Sequence, residues 1–199
     1  MLRELLKNTK FKYKISDFFN KNKEDILDII LFGSSARGKE KPGDIDILIL
    51  YKTKKNIDSS YRLRKEIEKN GYNIEVTDKT YKELFDESFK AREAILSEGY
   101  SLVFNRFLSE GLGYLTLALF KYELKGFNKS TRMRFYYSLY GRGEGQKGML
   151  NELNLIKFSD TILLCPIEKT ERMKEYLESW KINFINFPVM IPSRLSNLL

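Results

Sequence analysis

Ile26-Leu27-Asp28-Ile29-Ile30-Leu31-Phe32-Gly33-Ser34, nine further residues, and then Asp44-Ile45-Asp46-Ile47-Leu48 place a Gly-Ser turn at a set distance ahead of two carboxylates. The first apolar run reads as a strand ending in a sharp bend at Gly33 and Ser34, and the second, from about 45 to 51, reads as another. Side chains two apart on a strand share a face, so Asp44 and Asp46 project together while Ile45, Ile47 and Ile49 pack on the other side. Two hard oxygen ligands at one point suit Mg²⁺, which takes carboxylates plus substrate phosphates in preference to an all-protein cage. At the bend, backbone N–H groups and the Ser34 hydroxyl offer donors to a phosphate. A tight turn and a solvated strand start would also put these residues here separately; order, spacing and flanking hydrophobicity join them.

Composition narrows the chemistry. With 199 residues, 42% hydrophobic and 31% charged, the chain reads as globular, long enough for one large domain or two small ones. No window approaches the roughly 18 consecutive apolar residues of a membrane span. The start, Met1-Leu2-Arg3-Glu4, lacks the apolar centre of a signal peptide, so the expectation is a cytoplasmic protein with no membrane partner. There is no His at all, which excludes Ser-His-Asp and Cys-His catalysis and the usual zinc ligands. The single Cys165, in Ile162-Leu163-Leu164-Cys165-Pro166, forms no internal disulfide and reads as a small buried hydrophobe. Carboxylates, hydroxyls, Lys, Arg and metal remain to carry any reaction.

Along the chain, residues 1–21 read as an amphipathic helix, followed by strands at about 26–32 and 45–51. A helix capped by Asp58-Ser59-Ser60 reaches about Lys69 and stops at Asn70-Gly71. A strand over 72–77, a helix containing Ala91 to Leu96 and a strand over 100–104 follow. After Glu110-Gly111-Leu112-Gly113 the pattern changes. Residues 115–124 and 130–140 read as two helices, 141–148 as a flexible glycine loop, and 149–153 as a short helix. A strand at 161–165, a helix at 169–180 and a strand at 182–191 complete the chain. The fold expected is α+β, with an α/β-like mixed sheet in a domain over 1–110 and a second, smaller α+β domain over 111–199.

Apolar strand, G-S, spacer and D-x-D within a second apolar strand together resemble the nucleotidyltransferase superfamily of DNA polymerase β, in particular its minimal members, over roughly residues 22–105. The resemblance implies a third carboxylate on a later strand. Glu75, in Tyr72-Asn73-Ile74-Glu75-Val76, is the first choice and Asp78 the second. It further implies that Asp44, Asp46 and Glu75 are the catalytic, metal-holding set for Mg²⁺ or Mn²⁺, and that Gly33, Ser34 and Ser35 bind the nucleotide. Arg37 or Lys39, in or beside the small basic turn Ser35-Ala36-Arg37-Gly38, would offset charge on the leaving group. The activity implied is transfer of an NMP from an NTP such as ATP to an acceptor hydroxyl, with release of pyrophosphate.

The acceptor is a separate question. The chain carries 35 Lys and Arg against 27 Asp and Glu, a net charge of +8, and residues 121–147 alone hold 7 basic and 2 acidic residues. There Lys129, Arg132, Arg134, Arg142 and Lys147 interleave with Phe135, Tyr136, Tyr137 and Tyr140, a pattern suited to phosphate contact and base stacking. This points to RNA or DNA, with Lys129, Arg132, Arg134, Tyr137, Arg142 and Lys147 as the contacts. Gly143-Glu144-Gly145-Gln146-Lys147-Gly148 fits G-x-G-x-x-G only formally, since a dinucleotide site requires a preceding strand and this loop follows a helix. Two other readings stand beside the nucleic-acid acceptor. One is an antitoxin-type adenylyltransferase acting on a partner protein; the other is a catalytically inactive nucleic-acid-binding module of the same fold. Small antibiotics form a further acceptor class in the superfamily.

Overall fold

The computed structural model describes residues 2–143 and 145–198; Met1 and Leu199 lie outside them, as does Glu144 of the glycine-rich loop. The chain divides into two compact units, Met1–Gly113 and Tyr114–Leu199. The first begins with α1 (Leu2–Lys7), α2 (Thr9–Asn22), β1 (Ile26–Phe32), α3 (Gly33–Ala36), β2 (Ile45–Tyr51) and α4 (Ile57–Glu68). It continues through β3 (Ile74–Thr80), α5 (Tyr81–Leu84), α6 (Arg92–Glu98), β4 (Tyr100–Ser101), β5 (Arg106–Phe107) and α7 (Leu108–Gly111). Its strands form one mixed sheet ordered β3-β2-β1-β4-β5, parallel between β2 and β3 and antiparallel elsewhere.

Both faces of this sheet are covered. Ile29, Leu31, Ile45, Ile47 and Ile49 face α1, α2 and α4, where Leu5, Phe11, Ile15, Leu63 and Ile67 meet them. Ile30, Leu48 and Leu50 face the opposite way, onto Leu84 and Ile95 of α5 and α6. A β-branched or aliphatic side chain buried this fully contributes about 1.5–3 kcal/mol, and covered faces account for strands that read as unbroken apolar runs.

Boundaries moved where a side chain redirects the backbone. The expected first helix is two, because Asn8 accepts the Phe11 N–H at 3.0 Å and restarts the chain as α2. Asn56, accepting the Ser59 N–H at 3.0 Å, caps α4 in place of the Asp58-Ser59-Ser60 run. The strand expected over 100–104 stops at Ser101, whose hydroxyl accepts the Phe104 N–H and turns the chain.

The second unit contains β6 (Tyr114–Glu123), α8 (Lys129–Tyr140), β7 (Gly141–Arg142), β8 (Gln146–Lys147) and α9 (Met149–Glu152). Then come β9 (Ile156–Ser159), β10 (Ile162–Pro166), α10 (Thr170–Ser179) and β11 (Asn183–Pro192). An antiparallel sheet runs β11-β6-β10-β9, with β7 and β8 as a separate hairpin. The helix expected over 115–124 is the strand β6, hydrogen-bonded on both edges by β10 and β11. The 141–148 loop carries a short hairpin where a flexible loop was expected. Phe135 of α8 anchors the core against the rings of Tyr122, Tyr176 and Trp180. Cys165 is fully buried, and that burial pushes its thiol up to about 12, which leaves it inert as a nucleophile.

Candidate active site

Asp44 stands immediately before β2, and Asp46 and Glu75 are the second residues of β2 and β3. The parallel register sets Asp46 opposite Glu75. One oxygen from each of Asp44, Asp46 and Glu75 can be chosen so that all lie within 4.8 Å of one another. Asp44 and Asp46 are half-buried and Glu75 is exposed, so the cluster opens to solvent. On the same face of β2, Leu48 and Leu50 disappear beneath α5 and α6. The carboxylates therefore sit where the cover over the sheet ends. Asp78 has the opposite parity to Glu75 along β3, and its carboxylate accepts the Ser60 hydroxyl of α4 at 2.8 Å, which removes it from the cluster.

Burial raises the Asp46 pKa, the neighbouring Asp44 and Glu75 charges raise it further, and Arg37 opposes them. Three oxygen donors that repel one another, open on one side, are the donor set a hard divalent cation takes. The residues present thus fit Mg²⁺ or Mn²⁺.

The bend after β1 is built around this cluster. Phe32 pairs with Asp46 across β1 and β2, so Gly33 follows directly above the carboxylate. Gly33 has φ +70°, and a Cβ there would overlap the Asp46 Oδ2. Glycine alone keeps both the turn and the carboxylate in place. Ser34 is half-buried in the first turn of α3. Ser35 is fully buried, and its hydroxyl donates to the Asp44 carbonyl at 3.3 Å; it fixes the loop from within. Lys39 is exposed, with its backbone N–H on the Ser34 carbonyl at 3.0 Å.

Two contributors to this geometry are not apparent from local sequence. The Asn73 side-chain amide donates to the Gly43 carbonyl at 2.8 Å while the Asn73 backbone carbonyl accepts the Ile45 N–H at 2.9 Å, so Asp44 is clamped from both sides. Glu98, at the end of α6, accepts from Arg37 at 2.9 Å, and the pair is largely sheltered from water. The signal for Glu98 was its place three residues after the core residue Ile95. A carboxylate on an apolar helix face needs a cation, but nothing nearby in sequence names it.

The nucleic-acid contacts expected from sequence lie in the second unit. Lys129, Arg132, Arg134, Tyr137, Arg142 and Lys147 are all exposed, and the Arg142 guanidinium lies 4.5 Å from the centre of the Tyr137 ring.

Residues 13–101 match the model of the family described as Polymerase beta, Nucleotidyltransferase. The match lies within the first unit and takes in the bend and the carboxylate cluster. Among solved structures, the chain is similar to a toxin–antitoxin MntA-HpeT mutant at 18% identity and a TM-score of 0.36, covering 46% of this chain and 70% of that one. It is similar also to a toxin–antitoxin with AMP-PNP at 22% identity and a TM-score of 0.36, covering 46% of this chain and 71% of that one. No curated protein sequence matches. No helix among the described residues is long and apolar enough to cross a membrane.

Proposed function

We propose that the chain is a metal-dependent nucleotidyltransferase that moves an NMP from an NTP to an acceptor hydroxyl. The acceptor oxygen bonds to the α-phosphorus, the bond from that phosphorus to the bridging oxygen breaks, pyrophosphate leaves, and the hydroxyl proton passes to solvent. The observation that carries this reading is the convergence of Asp44, Asp46 and Glu75 at the open end of a matched β2–β3 register, beside Gly33.

Asp44, Asp46 and Glu75 would hold the cation. Mg²⁺ or Mn²⁺, when bound, supplies charge stabilisation at phosphoryl oxygens and acidifies an attacking hydroxyl. Gly33 lets the chain turn tightly against the Asp46 carboxylate, and the Ser34 hydroxyl would add a donor to a phosphate. Arg37, steadied by Glu98, would neutralise charge on the triphosphate, in the bound NTP as in the leaving pyrophosphate. Lys39, exposed on the same loop, adds long-range attraction for the triphosphate.

For the acceptor, the reading favoured is a nucleic-acid hydroxyl, supported by the exposed basic residues of the second unit. Incubating the full chain with each α-labelled NTP, Mg²⁺ or Mn²⁺, and RNA, DNA or bulk protein tests both statements. Label on a polynucleotide is the expected result. Label on a protein would transfer the activity to a protein acceptor, and label on no species would overturn the enzyme reading.

A further inference from the structure

Helix α8 turns Phe135 and Leu139 into the core and leaves Lys129, Met133, Tyr137 and Tyr140 exposed on its other side, while Arg132, one turn before Phe135, is exposed on the core-facing stripe. Two further elements bring cations to these rings. Arg142 of β7 sits over Tyr137 at 4.5 Å, and Lys157 of β9 lies 5.7 Å from the centre of Tyr140. Tyr136 meets Tyr140 at 6.0 Å and widens the aromatic surface. The hairpin that carries Arg142 is tightly seated: Gly141 has φ +92°, and a Cβ there would overlap the Gln146 carbonyl. Arg142 is thus held by its pairing with Gln146 across β7 and β8.

We propose that this face of the second unit binds single-stranded nucleic acid, Tyr137 and Tyr140 stacking on bases while Arg142 and Lys157 hold phosphates. Tyr137 and Tyr140, exposed to 41% and 36%, can meet a base on the ring itself or through the guanidinium plane laid over Tyr137, and stacking of this kind tolerates sequence. A duplex hides its base faces from such rings, whereas an unpaired strand presents them. Lys157 also pairs with Asp160 at 2.8 Å, but Asp160 is almost wholly in water, where such a pair is weak and a phosphate competes well. As the surface that delivers an acceptor, this face rests on the nucleotidyl-transfer reading; as a binding surface it stands apart, and its test contains no NTP.

The full chain is titrated into fluorescein-labelled oligo-U and oligo-dT of about twelve nucleotides, and into a duplex of the same length, with anisotropy read over a range of salt. Single strands should bind more tightly than the duplex, and the two single-strand arms show whether ribose is preferred. Tyr137→Ala with Tyr140→Ala should weaken single-strand binding roughly tenfold or more. Tyr137→Phe with Tyr140→Phe should retain it, because the ring rather than the hydroxyl stacks. Arg142→Ala should lower the slope of log affinity against log salt by about 0.7. Equal or tighter duplex binding, no binding at low salt, or an unchanged salt slope in Arg142→Ala would overturn the proposal. So would loss of binding in the Phe pair with its melting temperature intact.

Discussion

Asp46 and Asp28 stand on one face of the same sheet, opposite Phe32 and Leu50 respectively, and burial raises the pKa of both. Their surroundings differ. Asp28 is buried, accepts the Ser101 hydroxyl at 2.8 Å and the Ile29 N–H at 2.7 Å, and is drawn down by these and by Arg106, yet still sits at about 6. Asp46 is open on one side and faces two further carboxylates, with Arg37 as the opposing charge. A carboxylate built into a fold is given hydrogen-bond donors; one kept for a ligand is placed among like charges and left accessible. The difference separates a structural acid from a metal-holding one on the same strand pair.

The strongest test of that distinction removes the crowded carboxylates. Asp44→Ala and Asp46→Ala should each reduce nucleotidyl transfer to background, measured by label incorporation. Thermal unfolding should come no earlier than in the unaltered chain, since each change relieves repulsion between carboxylates that outweighs the attraction of Arg37 and, among the described residues, breaks no side-chain hydrogen bond. Early unfolding of either variant would place these acids with Asp28 as structural groups. Gly33→Ala follows: a left-handed non-glycine residue costs about 1–2 kcal/mol, and the added Cβ displaces the Asp46 carboxylate. A displacement of about 1 Å at a reacting centre costs about 100-fold in rate, and a fall of that order in kcat with a small loss of stability is expected.

A smaller effect tests the opposing charge. Arg37→Ala should raise the KM for NTP about tenfold or more, the worth of a charge-assisted hydrogen bond of roughly 1.5–3 kcal/mol. Glu98→Ala should do the same through a displaced guanidinium, while Glu98→Gln, which still accepts a hydrogen bond, should fall between. Exchanging the pair, Arg37→Glu with Glu98→Arg, should recover thermal stability and leave the KM high. A normal KM in the exchanged protein would reduce this pair to a structural contact.

The same contrast explains what could be read from sequence. Strands β1 and β2, the Gly-Ser bend and the Asp44–Asp46 spacing depend on residues close together in the chain, and each lies where the sequence pattern put it. Glu75 required only the start of one more strand, and parallel register then set it opposite Asp46. Segment 115–124 reads as a helix because Leu115-Thr116-Leu117-Ala118-Leu119-Phe120 has no interruption that marks a period, and Leu and Ala favour helix. Adjacent Leu117 and Ala118 are both buried, so both faces of β6 are covered and alternation is lost. Pairing with β10 and β11, set by tertiary context, decides that element. Glu98 and Arg37 are 61 residues apart, and Lys157 comes to Tyr140 from another strand. Contacts of that kind have no local signature.

The smallest effect on transfer, and the cleanest on stability, belongs to Asp28→Asn. An unfolded Asp titrates near 3.9, whereas the folded Asp28 titrates at about 6. Between those values the folded chain holds a proton that the unfolded chain has released. The stabilisation from that proton is complete below about pH 4 and is lost as pH rises through 6. At about 1.4 kcal/mol per pKa unit, the charged Asp28 costs the folded state near 3 kcal/mol at neutral pH. Asparagine keeps an acceptor for the Ser101 hydroxyl and the Ile29 N–H without the charge, so the variant should be more stable at pH 7 by up to that amount. Urea titrations from pH 4 to pH 7 should show the decline in stability shallower in Asp28→Asn than in the unaltered chain, with transfer unchanged. If Asp28→Asn abolished transfer at full stability, Asp28 would join Asp46 as a working acid, and the division between the two carboxylates would fail.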